Sequence, residues 1–417
     1  MKQETKTKLT DMAKHVLLAV VVGPIVGAID AVFGGILIAV SSFRDAHVLL
    51  LVPFLPLAGL LITYMYYRYS KLSLKGMTLV FETEQARREE IPKALVPLVM
   101  IGTWATHLFG GSAGREGVAV QIGATVSHTI ARKLKMPDNG RIMLVTGMAA
   151  GFAGLFQTPL TATFFAIEVI TAGVMDYEAL LPALIASYLS SAASAALGLE
   201  KFSENIKGTI ALSGSPSTAL KIVLLGIAFG LTGWCFSFFL GRMKKIMGEK
   251  IENPYIRIGV ISIPLAALLL IAFTGRYCGL GTNLIRASFE GGTVNSYDWI
   301  LKLLFTILTL SIGFQGGEVT PLFSIGATLG VVLGMMMGLP PEVTAALGYA
   351  AVFGSATNTL IAPILIGIEV FGAQNMLLFV IVCTLAYILN GNCSIYGAQK
   401  VFRQEKRAEA KKVRKKG

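Results

Sequence analysis

Charge is what this sequence has least of. Only 14% of its 417 residues are charged, and it holds just four cysteines and four histidines. With 54% hydrophobic residues and a mean hydropathy of +0.68, that scarcity excludes an ordinary soluble globular domain. Cys235, Cys278, Cys383 and Cys393 have neither metal-ligand spacing nor a paired framework, so no metal and no cofactor is expected. His15, His47, His107 and His128 stand apart from one another and read as packing or loop positions. No HExxH motif occurs, and no Gly-x-Ser-x-Gly elbow lies in a strand-to-helix context. An intramembrane enzyme built on Glu116, His107 and His128 therefore has little support.

What is present is a succession of apolar runs bounded by charge or by glycine and proline, from Val16 to the C-terminal region. Many are helix-length, too long for the strands of an outer-membrane barrel, so spanning helices in a lipid bilayer are the expected class. The first run, Val16 to Val40, exceeds a signal-peptide core and lacks an evident cleavage site, so it reads as retained. Lys2, Lys6, Lys8 and Lys14 precede it. Lys400, Arg403, Lys406, Arg407, Lys411, Lys412, Arg414, Lys415 and Lys416 form a basic tail. Both ends, and the basic loop Arg242 to Arg257, are thereby expected in the cytoplasm. The net charge of +12 is a topology signal of these ends and loops, not a nucleic-acid interface.

One stretch places chemistry inside the apolar sequence. Gly110 to Gly123 reads Gly-Gly-Ser-Ala-Gly-Arg-Glu-Gly-Val-Ala-Val-Gln-Ile-Gly. Its glycines free the backbone ahead of a helix-competent run, so successive N–H groups can converge on an anion at a helix N-terminus. Glu116 stands there as a tethered carboxylate, able to occupy such a site when ionised and to leave it when protonated.

The chain then nearly repeats itself. Gly147-Met-Ala-Ala-Gly-Phe through Glu168-Val169 aligns without a gap with Gly348-Tyr-Ala-Ala-Val-Phe through Glu369-Val370, and Ile122-Gly-Ala-Thr125 returns as Ile325-Gly-Ala-Thr328. The same offset sets Gly114-Arg-Glu-Gly opposite Gly317-Glu-Val-Thr. The expected organisation is an N-terminus over 1–14, a first membrane repeat over 15–199, a linker over 200–217, a second repeat over 218–399 and a basic tail over 400–417. Repeats interrupted by glycine and proline are the pattern of transporters that bind ions where broken helices meet at mid-membrane. The alternative is glycine used only for close helix packing. Glu168 and Glu369 occupy matched positions, which suggests a shared scaffold duty near helix ends more than proton carriage.

Gly114-Arg-Glu-Gly-Val-Ala-Val-Gln-Ile-Gly resembles the Gly-Arg-Glu-Gly-Pro motif of the CLC family, and Gly316-Gly-Glu-Val-Thr-Pro321 resembles its second anion-binding loop. The likeness runs on to Tyr396, where the family's anion-coordinating tyrosine would fall. It implies an all-α polytopic fold of two inverted-topology repeats with tilted and broken helices. It further implies a homodimer with one anion pathway per subunit and both termini in the cytoplasm. The tail is too short for the paired regulatory domains of many members, so nucleotide regulation is not expected.

Three departures point within the family to the bacterial CLC-F clade of fluoride/proton antiporters, and so to a bacterial cytoplasmic membrane. Met77, in Lys75-Gly76-Met77, stands where chloride-binding members usually carry serine; gap-filling is the alternative role for a methionine. Val169 stands where chloride antiporters carry an inner proton-transferring glutamate. Glu318 adds a carboxylate to the second loop, where capping the following helix is the alternative duty. The resemblance therefore implies gating and proton transfer by Glu116 and Glu318. It implies anion binding by Gly114, Arg115, Gly117, Val118, Glu318, Val319, Thr320, Tyr396 and Met77. A chloride/proton antiporter or passive chloride channel of the same fold is the competing expectation.

Overall fold

An apolar run that must satisfy its own backbone hydrogen bonds folds as helix, and it ends where a residue can leave helical φ and ψ. In the computed structural model, which describes residues 2–204, 206, 208–211 and 216–402, almost every run obeys this. The first half comprises α1 (Lys2–Ala46), α2 (Val48–Leu51), α3 (Leu55–Tyr69), α4 (Met77–Glu84), α5 (Leu95–Leu108), α6 (Glu116–Lys133), α7 (Arg141–Phe156), α8 (Pro159–Val169) and α9 (Leu180–Ala196). The second comprises α10 (Pro216–Lys250), α11 (Pro254–Ile271), α12 (Thr282–Phe289), α13 (Asp298–Ile312), α14 (Val319–Met337), α15 (Pro341–Thr357), α16 (Ile361–Phe371) and α17 (Met376–Leu389). Among the described residues, five stretches are long and apolar enough to cross a bilayer: Leu9–Ala46, Val48–Tyr69, α10, α11 and α14.

The matched sequence segments occupy matched elements. Helices α6, α7 and α8 correspond to α14, α15 and α16, and the breaks between the last two of each set also correspond. Gln157 (φ +55°) ends α7 and Asn358 (φ +56°) ends α15. Within each half the first of these helices, α6 or α14, crosses its neighbour at glycine. A Cβ built on Gly123 would run into the carbonyl oxygen of Gly147, and one on Gly326 into that of Gly348. The crossing is therefore backbone against backbone, as small residues permit in membranes.

The halves lock at Glu168 and Glu369. Glu168, at the end of α8, accepts the N–H groups of Leu360 (2.5 Å), Ile361 (3.1 and 3.2 Å) and Ala362 (3.2 Å) at the start of α16. Glu369, at the end of α16, accepts those of Leu160 (3.0 Å) and Thr161 (2.8 Å) and the Thr161 hydroxyl (2.6 Å) at the start of α8. Each helix thus ends where the other begins, so equivalent helices lie antiparallel, as an inverted repeat requires.

Three expected boundaries move. The polar start at 1–14 is helical from Lys2 and continuous with α1, because nothing in it breaks a helix. The linker expected over 200–217 ends earlier, since α10 begins at Pro216, a residue suited to the first helical turn. The expected tail begins with structure: Lys400–Val401 forms a strand (β2) parallel to Thr171–Ala172 (β1), pairing Thr171 with Lys400. These two-residue strands are a small exception to an all-helical chain. The basic residues from Arg403 onward lie outside the described residues.

Candidate functional site

The two glycine-rich loops meet face to face. Gly114 N–H donates to Gly317 O (2.5 Å) and Gly317 N–H donates back to Gly114 O (2.8 Å), an isolated antiparallel bridge between the halves. Only glycine fits there. A Cβ on Gly317 would stand 2.9 Å from the Gly117 nitrogen and 3.3 Å from those of Arg115 and Glu116. One on Gly114 would stand 2.9 Å from Glu116 Oε2. The bridge brings the N-termini of α6 and α14 together in the interior, each offering unpaired N–H groups and the positive end of its dipole.

The Glu116 side chain fills the space between them. It is fully buried. Its Oε2 accepts the N–H of Thr320 (2.8 Å) and of Arg115 (3.1 Å), and its Oε1 accepts the Thr320 hydroxyl. The Arg115 guanidinium approaches Oε1 at 3.8 Å and lies over the Phe156 ring, 5.8 Å from its centroid. Nε and Nη1 of Arg115 have no hydrogen-bond partner among the described residues. A carboxylate of one half is thus bound by the helix start of the other. Thr320 is thereby bonded to Glu116 and not to the neighbouring Glu318.

A cavity of about 400 Å³ is lined among others by Met77, Gln121, Gly316, Glu318 and Tyr396. Met77 is the first residue of α4, and Gly76 before it takes a left-handed φ of +51°. Tyr396 is nearly buried, stacked on Phe81 (5.3 Å between centroids) and set edge-on to Phe165. Glu318 caps α14 by position without a side-chain capping bond, and its Oε1 lies 3.3 Å from Lys244 Nζ. Lys75 and Arg257 also line this cavity. Lys75 bonds Glu82 at 2.9 Å and holds that carboxyl below its usual range.

Two of the expected anion ligands, Val118 and Val319, are buried in the core and offer the site backbone groups alone. The Val118 N–H is already bonded to Arg115 O (3.2 Å). His107 lies between two carbonyls, Thr103 O (2.8 Å) and Ala113 O (3.0 Å), in keeping with a packing position.

Three groups here escape sequence reading. Gln121 donates to Gly117 O (2.9 Å), while its carbonyl oxygen lines the cavity without a partner among the described residues. Its place one turn beyond Gly117 is a usable signal. Lys302 is fully buried and donates to Ser112 Oγ (2.8 Å), Tyr277 O (3.1 Å) and Gly279 O (2.6 Å), pinning the loop before Glu116. Lys244 is the third. No cluster of residues suited to a metal occurs among the described residues.

Opposed helix starts around a buried carboxylate, held between two inverted halves, define a class: multi-pass membrane transporters with an anion site at the repeat interface. The family model described as voltage gated chloride channel matches residues 58–391. The chain belongs to that family, the CLC proteins. It is 34% identical over 403 residues to a chloride/fluoride channel protein of Pseudomonas syringae pv. tomato, covering 94% of this chain and 87% of the relative. Among solved structures it resembles a CLC-type fluoride/proton antiporter, with TM-score 0.91, 51% identity, and 93% of this chain and 98% of that one covered. A slow cyanobacterial Cl−/H+ antiporter shares the fold at TM-score 0.77 and 19% identity, over 92% and 96% of the chains.

Proposed function

We propose that this protein is a fluoride/proton antiporter that exports cytoplasmic fluoride in exchange for inward-moving protons. The observation that carries the reading is the grip of Thr320 on Glu116: an ionised carboxylate occupies the donors at the start of α14. Fluoride is small and strongly hydrated, and its dehydration must be offset by several close donors; backbone N–H groups at a helix start supply them without side-chain ordering. Fluoride and the Glu116 carboxylate therefore compete for one donor set. Protonation neutralises Glu116 and weakens its hold, the anion takes its place, and anion and proton movements become coupled in opposite directions.

In this reading Gly114, Arg115 and Gly117 shape the half of the site on α6. Val319, Thr320 and Glu318 shape the half on α14, and Tyr396 and Met77 line the approach from the cavity. The basic groups at the cavity mouth support a cytoplasmic placement of that face by the positive-inside rule, with both termini on the same side. The protein acts in the bacterial cytoplasmic membrane as a homodimer. Both loops and the cavity belong to one chain, which supports a separate pathway in each subunit.

A chloride/fluoride channel protein stands among the relatives, so passive conduction is the second reading. Purified protein in liposomes, with fluoride, chloride and pH recorded together, tests both. Antiport requires fluoride efflux to drive protons uphill; fluoride moving without opposing protons establishes the channel, and chloride moving as readily defeats fluoride selectivity.

A further inference from the structure

We infer that Lys244 is a positioning residue for Glu318, acting as its counter-charge at the mouth of the anion pathway; the inference rests on the antiport reading above. The sequence marks the basic stretch Arg242 to Arg257 only as a topology signal, and the structure gives part of it a place. Helix α10 has 35 residues. At about 1.5 Å per residue it outruns the roughly 30 Å of bilayer hydrocarbon. Its last turns bring Lys244 to the cavity lined by Glu318, Met77 and Tyr396.

The pairing there is selective. Lys245, next in sequence, faces Glu249 on its own helix (3.8 Å), whereas Lys244 crosses to Glu318 (3.3 Å). The other two cations of the cavity are engaged elsewhere. Lys75 bonds Glu82 at 2.9 and 3.2 Å, and Arg257 donates to Ile312 O (3.3 Å) and Ile251 O (3.4 Å). The Glu318 side chain is only 12% exposed and that of Lys244 is 43% exposed, so the acid is the costlier group to leave uncompensated.

Glu318 reaches both ways. While Oε1 faces Lys244, Oε2 lies toward the turn at Gly117, 3.7 Å from where a Cβ on that glycine would stand. An uncompensated carboxylate there would repel an arriving anion and ionised Glu116 alike. It would also lie free to fold onto the N–H groups of its own helix start, the donors fluoride needs. Lys244 offsets the charge and draws Glu318 toward the mouth, leaving those donors to fluoride and Glu116.

The test is a double-mutant cycle on fluoride affinity, measured by calorimetry on the purified full chain, which needs no turnover. Lys244→Met is expected to weaken fluoride binding about fivefold, Lys244→Arg to restore it to within about twofold, and Lys244→Met in a Glu318→Gln background to change it by less than about twofold. Unchanged affinity in Lys244→Met overturns the inference. So does an equal loss in both backgrounds, which would make Lys244 a general anion-attracting charge. Wild-type protein that binds and exchanges no fluoride would defeat the antiport reading instead, so the two failures are distinguishable.

Discussion

Glu168 and Glu369 each close the first turn of the other's helix, so a pair of acids that the repeat sets at equivalent positions forms one reciprocal clasp between the halves. A buried helix start leaves N–H groups that lipid and apolar side chains cannot satisfy, and a carboxylate answers several at once. Glu168→Ala should therefore lower the thermal stability of the detergent-solubilised protein by on the order of 2 kcal/mol, with Glu369→Ala similar. The ratio of protons to anions exchanged should stay unchanged in the folded fraction. A changed ratio would make Glu168 a proton carrier and not a clasp.

A sharper expectation attaches to the gate. Glu116→Gln keeps the size of the side chain but removes its titration and its charge. Fluoride gradients should then drive no proton movement in liposomes, while anion movement persists or is altered. Surviving fluoride-driven proton transport in Glu116→Gln would remove Glu116 from the mechanism. Thr320→Val deletes the hydroxyl bonded to Glu116 Oε1 but leaves the N–H in place, so it should loosen the competing carboxylate and raise the apparent fluoride affinity, by about tenfold at most, in line with losing one bond to a charged group. Thr320→Ser should retain wild-type affinity.

The near repeat alone pairs the starts of α6 and α14, because Gly114 and Gly317 stand at one offset and meet in one bridge. The break after α7 is written in Pro159, whereas the equivalent break after α15 carries only Asn358 and Thr359 and emerges from alignment with the first half alone. Relations across long sequence distances are not legible in this way. Nothing in the order of residues says that Thr320 binds Glu116 or that Lys244 faces Glu318. Asp30 is a further case: a fully buried carboxyl in α1, beside Gly154, whose oxygens have no partner among the described residues. Its neighbours come from other helices, so no local pattern announces it.

The glycine crossings give a stability prediction with an internal control. A methyl group at Gly123 or Gly326 must displace a backbone carbonyl of the neighbouring helix, and backbone gives way less readily than a side-chain tip. Gly123→Ala and Gly326→Ala should each cost about 3 kcal/mol or prevent assembly. Gly35, on α1, has nothing within 4 Å of its built Cβ, so Gly35→Ala should be neutral or slightly stabilising. Thermal unfolding monitored by monodispersity would separate these outcomes, and equal losses at all three positions would refute the steric account.

Selectivity is the last point the site puts to the test, through Met77. The thioether lines the cavity at the start of α4, where it offers an anion no hydrogen-bond donor. A hydroxyl at this position would help chloride, which needs fewer and weaker donors to offset its smaller dehydration cost. Met77→Ser should therefore raise chloride exchange relative to fluoride by about tenfold, the worth of one hydrogen bond to a charged group. Met77→Leu, which fills similar space without a donor, should keep the wild-type preference. Paired chloride and fluoride fluxes from the same liposomes decide it: if Leu shifts the ratio as far as Ser, the methionine acts through shape, and if neither does, selectivity resides in the donors around Glu116 and Thr320.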